Sequence, residues 1–240
     1  SLSNFTYKEL EDGKTSNSVS MPQFELQGLS WDNLVFDQQL KAERVTLYRP
    51  VINYSVANNK RFKSGDVFQT LAGIGNFMQL DNLNINNGQV NLFFKNNTEL
   101  RLENASMSVL GKRLVGSRRV TNIQRSVNEL FFKQGFLKMG GITTSLTDVN
   151  FTGGASNQLH AGNVEVKNKN ELNINATGVV IQSMIIDDDI QHTLISGIRW
   201  NKADIRLSVF PDQNKKNTAG FTLKKIEGGN TTILAADRGK

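Results

Sequence analysis

The sequence predicts a mainly β protein: an elongated, curled antiparallel sheet built from repeated hairpins, with one short amphipathic helix near residues 64–78. Three observations carry this expectation. Apolar residues alternate with polar ones along most of the chain, the period of a strand with one wet and one apolar face. Pieces rich in Asn, Gly and Lys separate the alternating runs, as antiparallel hairpins require. One apolar pattern also recurs, starting at Leu26, Leu80, Val127 and Ile195.

The elements follow in order. In "LQGLSWDNLVF", from Leu26, the pattern runs through Leu29 and Trp31 and then drifts. Leu40 and Ala42 share one alternation phase and Val45 and Leu47 the other, so a bulge or sharp bend is expected between them. Ile52, Tyr54 and Val56 alternate again. "SGDVFQTLAGIGNFM", residues 64–78, places Val67, Phe68, Leu71, Ile74, Phe77 and Met78 at helical spacing. Ser64 suits its N-cap and Asp66 its first turn, while Gly73 and Gly75 weaken it. Such a helix plugs an end or an open edge of the sheet, or gates an apolar groove.

"LDNLNINNGQVNLFF", residues 80–94, reads as a hairpin. Leu83 and Ile85 precede the turn Asn86-Asn87-Gly88, and Val90, Leu92 and Phe94 follow it. "VNELFFKQGFLKM" repeats this without a gap: Leu130 and Phe132, then Gly135, then Leu137 and Met139. Val164 and Val166 face Leu172, Ile174 and Ala176 across the polar turn "KNKNE". In "ISGIRWNKADIRLSV", Ile198 and Trp200 precede Ala203 at the Gly position, and Ile205, Leu207 and Val209 follow. The pattern places Trp31 and Trp200 on the apolar face. Uneven intervals exclude a solenoid of fixed period, and ordinary hairpin grammar accounts for part of the recurrence. Residues 1–240 form a single all-β domain or segment, with a candidate division into 1–116 and 117–240.

Composition narrows the function. The chain has 240 residues, with 38% hydrophobic residues and a net charge of +6; its mean hydropathy is −0.36. The basic pairs Lys112-Arg113, Arg118-Arg119, Lys215-Lys216 and Lys224-Lys225 are scattered, so they read as solvated edges and turns, and no nucleic-acid partner is expected. There is no Cys, which removes disulfides, thiol catalysis and Cys-based zinc sites. No apolar run is long enough to span a bilayer as a helix. The opening "SLSNFTYKEL" has no signal-peptide pattern, which suits a mature or trimmed segment. Asn makes up about one residue in nine, so the sequons at Asn96, Asn104, Asn150 and Asn175 arise by chance.

Catalytic signatures are missing: no G-x-S-x-G, Walker A loop or G-x-G-x-x-G occurs. His160 and His192 stand in polar surroundings without a ligand partner at metal spacing. Asp187, Asp188 and Asp189 have the charge to hold calcium, but a hairpin tip explains them as well. No catalytic residue, metal site or cofactor is expected.

One stretch suggests a family. "FELQGLSWDNLVFDQQLKAERVTLYRPVINY", residues 24–54, resembles the AsmA-like proteins of the bacterial envelope. The likeness rests on Leu40, Ala42, Val45, Leu47, Pro50 and Ile52, then on Leu80, Leu83, Ile85, Asn87, Gly88 and Val90; it covers residues 24–110. The resemblance implies a curled sheet with an apolar concave face, in a protein of the bacterial periplasm or cell envelope. It also implies membrane anchoring through a segment outside this chain, and a role in outer-membrane assembly or phospholipid handling. Phospholipid or envelope proteins are the implied partners.

For an acyl chain, a groove must offer a continuous apolar strip, each buried CH₂ contributing about 0.8 kcal/mol. The candidates are Leu83, Ile85, Val90, Leu92, Phe94, Leu130, Phe132, Leu137, Ile198, Trp200, Ile205 and Leu207. A closed core would use the same residues. The alternative function is a surface or periplasmic β scaffold that binds protein or glycan partners. A carbohydrate-active β-helix enzyme would require an acidic cluster on one strand face, and the sequence offers none.

Overall fold

The computed structural model describes residues 1–11, 14–37, 40–55, 78–94, 98–111, 126–139, 141–154, 156–168, 172–186, 192–207 and 220–235. These form β1 (Leu2–Glu11), β2 (Lys14–Gln27), α1 (Trp31–Phe36), β3 (Leu40–Tyr48), β4 (Val51–Ser55), β5 (Met78–Phe94), β6 (Thr98–Leu110) and β7 (Val127–Met139). Then come β8 (Ile142–Thr152), β9 (Gln158–Asn168), β10 (Leu172–Ile186), β11 (His192–Leu207), β12 (Gly220–Leu223) and β13 (Ile226–Ala235).

All strands join one 13-stranded sheet, in the order β1-β2-β3-β5-β6-β7-β8-β9-β10-β11-β12. β4 continues the line of β3, pairing with β2 and β5, and β13 continues the line of β12 along β11. From β5 to β11 each strand pairs antiparallel with the next in sequence. The sheet is nonetheless mixed, because β3 and β4 run parallel to β5, and β12 and β13 run parallel to β11. The β6·β7 pairing carries it across the 116/117 boundary.

The repeated pattern proves to be a long strand rather than a hairpin. Residues 78–94 form one strand of 17 residues, and Val127–Met139 and His192–Leu207 are likewise single strands. What reads as a turn is a kink inside the strand. Asn87 has φ 54°, and the β5·β6 register shifts on both sides of Gly88. The apolar face therefore passes from Leu83 and Ile85 to Gly88, Val90 and Leu92, skipping two residues where strict alternation skips one. The true hairpins join successive long strands: Val164 and Val166 pair with Ala176 and Ile174 across the β9·β10 hairpin, as the alternation on either side of "KNKNE" predicts.

The kinks line up. Asn4, Arg49, Asn87, Asn104, Asp148 and Gly178 all have positive φ, between 48° and 59°. Arg49 lies opposite Asn87, between the pairs Tyr48↔Asn86 and Val51↔Gln89. Asn104 and Asp148 both lie level with Lys133, between pairs that bracket it on each side. Gly178 is level with Gly162 and Asn201. The result is a crease that crosses the sheet transversely, and every strand from β5 to β11 changes apolar phase at it. An L-residue in the left-handed region costs about 1–2 kcal/mol. Asn, Asp and Gly tolerate it best, and they fill most of these positions.

A second bend lies nearer one end of the strands. Gly28 (φ 64°) and Ser183 (φ 48°) mark it, and Gly28 faces Glu43, where Ala42 and Val45 change phase as expected. Asn157, 6% exposed, secures this bend. Its Oδ1 accepts from Met184 N at 2.8 Å and its Nδ2 donates to Met184 O at 2.9 Å. Ser183 N donates to Asn157 O at 2.8 Å.

The expected helix at 64–78 falls outside the described residues, apart from Met78, which opens β5; Val56 falls outside them too. The one described α-helix is α1, and it corrects the placement of Trp31. Left-handed Gly28 turns the chain out of β2, and Ser30 N bonds back to Lys41 O at 2.9 Å. Ser30 Oγ donates to Asn33 Oδ1 and Asn33 Nδ2 to Asp37 Oδ2, closing a single short helix. Trp31 is thus not on the apolar face of the sheet; it stands 66% exposed on α1.

Candidate apolar trough

The buried core is a strip along the crease. Ala105, Phe132, Val149, Ala161 and Val179 occupy one side of it; the last four are directly paired in a row, and Ala105 falls level with Phe132 between the pairs Glu103↔Gln134 and Ser106↔Phe131. Ala176 and Ala203 pair on the other side, continuing a row that includes Leu102, Gly135, Leu146 and Val164. Val149 is fully buried, at 0% exposure, and the described strands form one sheet. Side chains bridge the crease on this side, the Phe132 ring reaching Gly135 and Trp200 Nε1 reaching Thr231 Oγ1, so the crease is concave on the apolar side. The opposite face agrees: Asn87, Asn104, Lys133, Gln134, Asp148, Asn163, Asn201 and Lys202 stand exposed along the ridge.

Small residues let the two wings approach. A Cβ at Gly135 would lie 2.5 Å from the Phe132 ring, and one at Gly228 would lie 2.8 Å from Trp200 Cζ2. Each ring reaches over a strand position without a side chain. Trp200 Nε1 donates to Thr231 Oγ1 at 3.0 Å, which leaves its carbon framework to pack against the core strip.

The candidate residues come together on this one face. Leu130 belongs to a row that pairs on through Phe151, Leu159 and Ile181 to Ile198. Leu92 pairs through Leu100 to Leu137, and that row continues through Thr144, Val166 and Ile174 to Ile205. Leu83 pairs with Val109, Val90 with Leu102, and Leu207 with Leu172. Ile85 and Phe132 are buried; Leu83, Val90, Leu92, Leu130, Leu137, Ile198, Trp200, Ile205 and Leu207 are only half-buried. Phe94 closes β5, and its side chain falls outside the described residues. The candidates therefore divide into a sealed floor at the crease and partly open walls beyond it.

Sequence reasoning missed most of the floor. Ala105, Val149, Ala161 and Ala203 are small, and their strands carry many Thr and Asn, so no strong apolar run marks them. A usable signal was present: an apolar position, two polar ones, then apolar again, as in Leu102 to Ala105 and Leu146 to Val149.

The convex face is mainly polar, with Phe93 and Phe131 exposed on it. Lys133 Nζ meets Asp148 Oδ1 at 2.7 Å across strands, and Lys167 meets Glu165 at 2.6 Å along β9. Arg101 pairs with Glu99, and Lys225 with Glu227. The hydrogen bond and charge of Lys225 hold the Glu227 carboxyl below the usual carboxylate range. A ladder of amides runs from Ser18 through Asn53 to Asn91. Tyr48 OH donates to Glu25 at 3.1 Å, and that bond raises the phenol above its ordinary pKa.

His160 is exposed on β9, and no cluster of metal-ligating side chains occurs among the described residues. Asp187, Asp188 and Asp189 lie outside the described residues, although β10 and β11 on either side of them pair directly. No helix among the described residues is long and apolar enough to cross a membrane. Fold and face define a class: a mainly β protein whose described strands form one large mixed sheet, creased across its strands, with its buried apolar residues along the crease. No family model, curated protein or solved structure matches the chain.

Proposed function

We propose that this is a non-enzymatic, AsmA-like protein of the bacterial cell envelope that holds phospholipid acyl chains along its apolar face, in phospholipid handling or outer-membrane assembly. The observation that carries the reading is the contrast between the sealed crease and the half-buried rows beside it. A closed core would bury those rows as deeply as Val149. Leucines and isoleucines left half-open in continuous rows still have apolar surface to lose to a ligand. Length also fits. The rows cross β5 to β11, six strand spacings of about 4.8 Å, or about 29 Å in all. A bilayer core of about 30 Å accommodates two opposed tails, so one tail has ample room along such a row.

The test is native mass spectrometry of the purified chain, with organic extraction and lipid analysis. Leu92 and Leu137 occupy one row, on either side of Leu100. Co-purifying phospholipid that is lost in still-folded Leu92→Asp and Leu137→Asp variants supports the trough. A lipid-free, well-folded chain sinks it. That result would favour the second reading, a scaffold that docks a protein through the exposed Trp31, Val35 and Phe36 of α1.

A further inference from the structure

The two edges of the sheet match each other. Among the described residues the sheet ends at β1, which pairs only with β2, and at β13, which pairs only with β11. Exposed edges of this kind are ordinarily blunted with lysine, proline or a bulge. β13 has none of these over its 10 residues, "IEGGNTTILA". It carries one charged residue, Glu227, and exposes Ile226 (61%), Ile233 (62%) and Leu234 (56%). β1 is uncharged from Leu2 to Tyr7, and Phe5 (42%) and Tyr7 (52%) are exposed there.

We infer that β13 of one copy of this chain pairs with β1 of a second copy, so that the sheet, crease included, continues from molecule to molecule. Direction permits it. Counting the pairings across the sheet, β1 and β13 run the same way. Head-to-tail joining is therefore parallel, like β11·β13 and β3·β5 within the molecule. Register also permits it. Gly228 and Thr231 lie level with Trp200 and Ala203 on either side of the crease, separated by two residues. In β1 the same gap separates Leu2 from Phe5, with left-handed Asn4 between them. Matching the gaps sets Phe5 beside Thr231, Thr6 beside Thr232 and Tyr7 beside Ile233.

That gap is what selects the occupant. An unrelated extended segment with strict alternation matches one wing of the crease and presents its polar side to the other. A strand with the two-residue skip is required, and β1 supplies one. The contact is heterologous and leaves a free edge at each end, so it gives linear growth rather than a closed ring. The inference goes beyond lipid handling and stands without it.

Sedimentation of the full chain over rising concentration tests it. The expected result is a mass that grows with concentration. Phe5→Lys and Ile233→Lys each block one edge, and each alone should stay monomeric. Mixed, they retain one compatible junction, Phe5→Lys offering β13 and Ile233→Lys offering β1, and should stop at a dimer. A monomer at every concentration, growth that survives either substitution, or a mixture that forms no dimer overturns the inference. Should either variant fail to fold, single cysteines serve, since the chain has no Cys. Thr6→Cys and Thr232→Cys proteins should cross-link on mild oxidation, and Lys8→Cys with Thr232→Cys should not. No Thr6–Thr232 cross-link is likewise refuting.

Discussion

Replacing Asn104 with Val should destabilise the protein, while the same replacement at Asn150 should not. Both asparagines lie in neighbouring parts of the sheet and both are exposed. Asn104 holds φ 51° at the crease, whereas Asn150 sits in β8 between Phe131 and His160. Val is the better strand residue at an ordinary position, within a propensity scale spanning about 1 kcal/mol. That gain is common to the two sites and cancels in their difference. What remains is the left-handed conformation, about 1–2 kcal/mol for an L-residue and harshest for a β-branched one. Asn104→Val should therefore lie about 1–2 kcal/mol below Asn150→Val in denaturant-derived stability, with unchanged m-values. Asn104→Gly should recover most of the loss, because Gly adopts positive φ without a Cβ clash. Equal effects of Val at the two sites, or a Gly variant as damaged as the Val variant, would refute the claim that the crease is a row of left-handed residues.

Two further predictions concern the core strip and the convex face. Phe132→Ala removes a ring 5% exposed from the crease floor and should cost at least about 3 kcal/mol. Met139→Ala, at 57% exposure on the same strand, should stay within about 0.5 kcal/mol, both read from urea unfolding. Tyr48 should titrate late, because its hydrogen bond to Glu25 stabilises the neutral phenol. A raised native pKa means the folded state holds this proton more tightly. The associated stability is present below the unfolded tyrosine pKa and is lost as pH rises through the folded value. Phenolate absorbance should lose its latest component in Tyr48→Phe and show it shifted downward in Glu25→Gln.

The class of the fold was readable because period-two alternation is a direct consequence of strand geometry. Ile174, Ala176, Ile205 and Leu207 sit where that alternation puts them. The turns were misread for a specific reason. Asn-Gly between apolar pairs signals a type I′ hairpin turn, since both demand positive φ. A left-handed kink inside a strand demands the same residues, and Asn86-Asn87-Gly88 satisfies either. Only pairing decides between them: Leu92 finds Leu100 on β6 rather than folding back towards Leu83. Trp31 was misplaced because an apolar spacing of two ignores Gly28, whose positive φ ends the strand before the Trp is reached. The floor escaped notice because alanine and glycine carry little hydrophobic signal, yet their smallness is what the crease needs.

The crease also separates a buried floor from the half-buried rows beside it. Val149 at 0%, Ala161 and Ala203 at 2% and Ala105 at 3% lie within one row of it, and a second buried group, Ala42 at 2% with Val45 and Val109 at 3%, lies nearer the other bend. Leu130, Leu137 and Ile205 in the outer rows are half-buried. The reverse face carries ion pairs and an amide ladder together with the exposed rings of Phe93 and Phe131. A sheet organised in this way can exchange what lies on its walls without dismantling what holds it together. It follows that Leu92→Asp and Leu137→Asp should leave unfolding nearly intact, whereas Phe132→Ala should not. Ligand loss in the first pair can then be separated from loss of the fold.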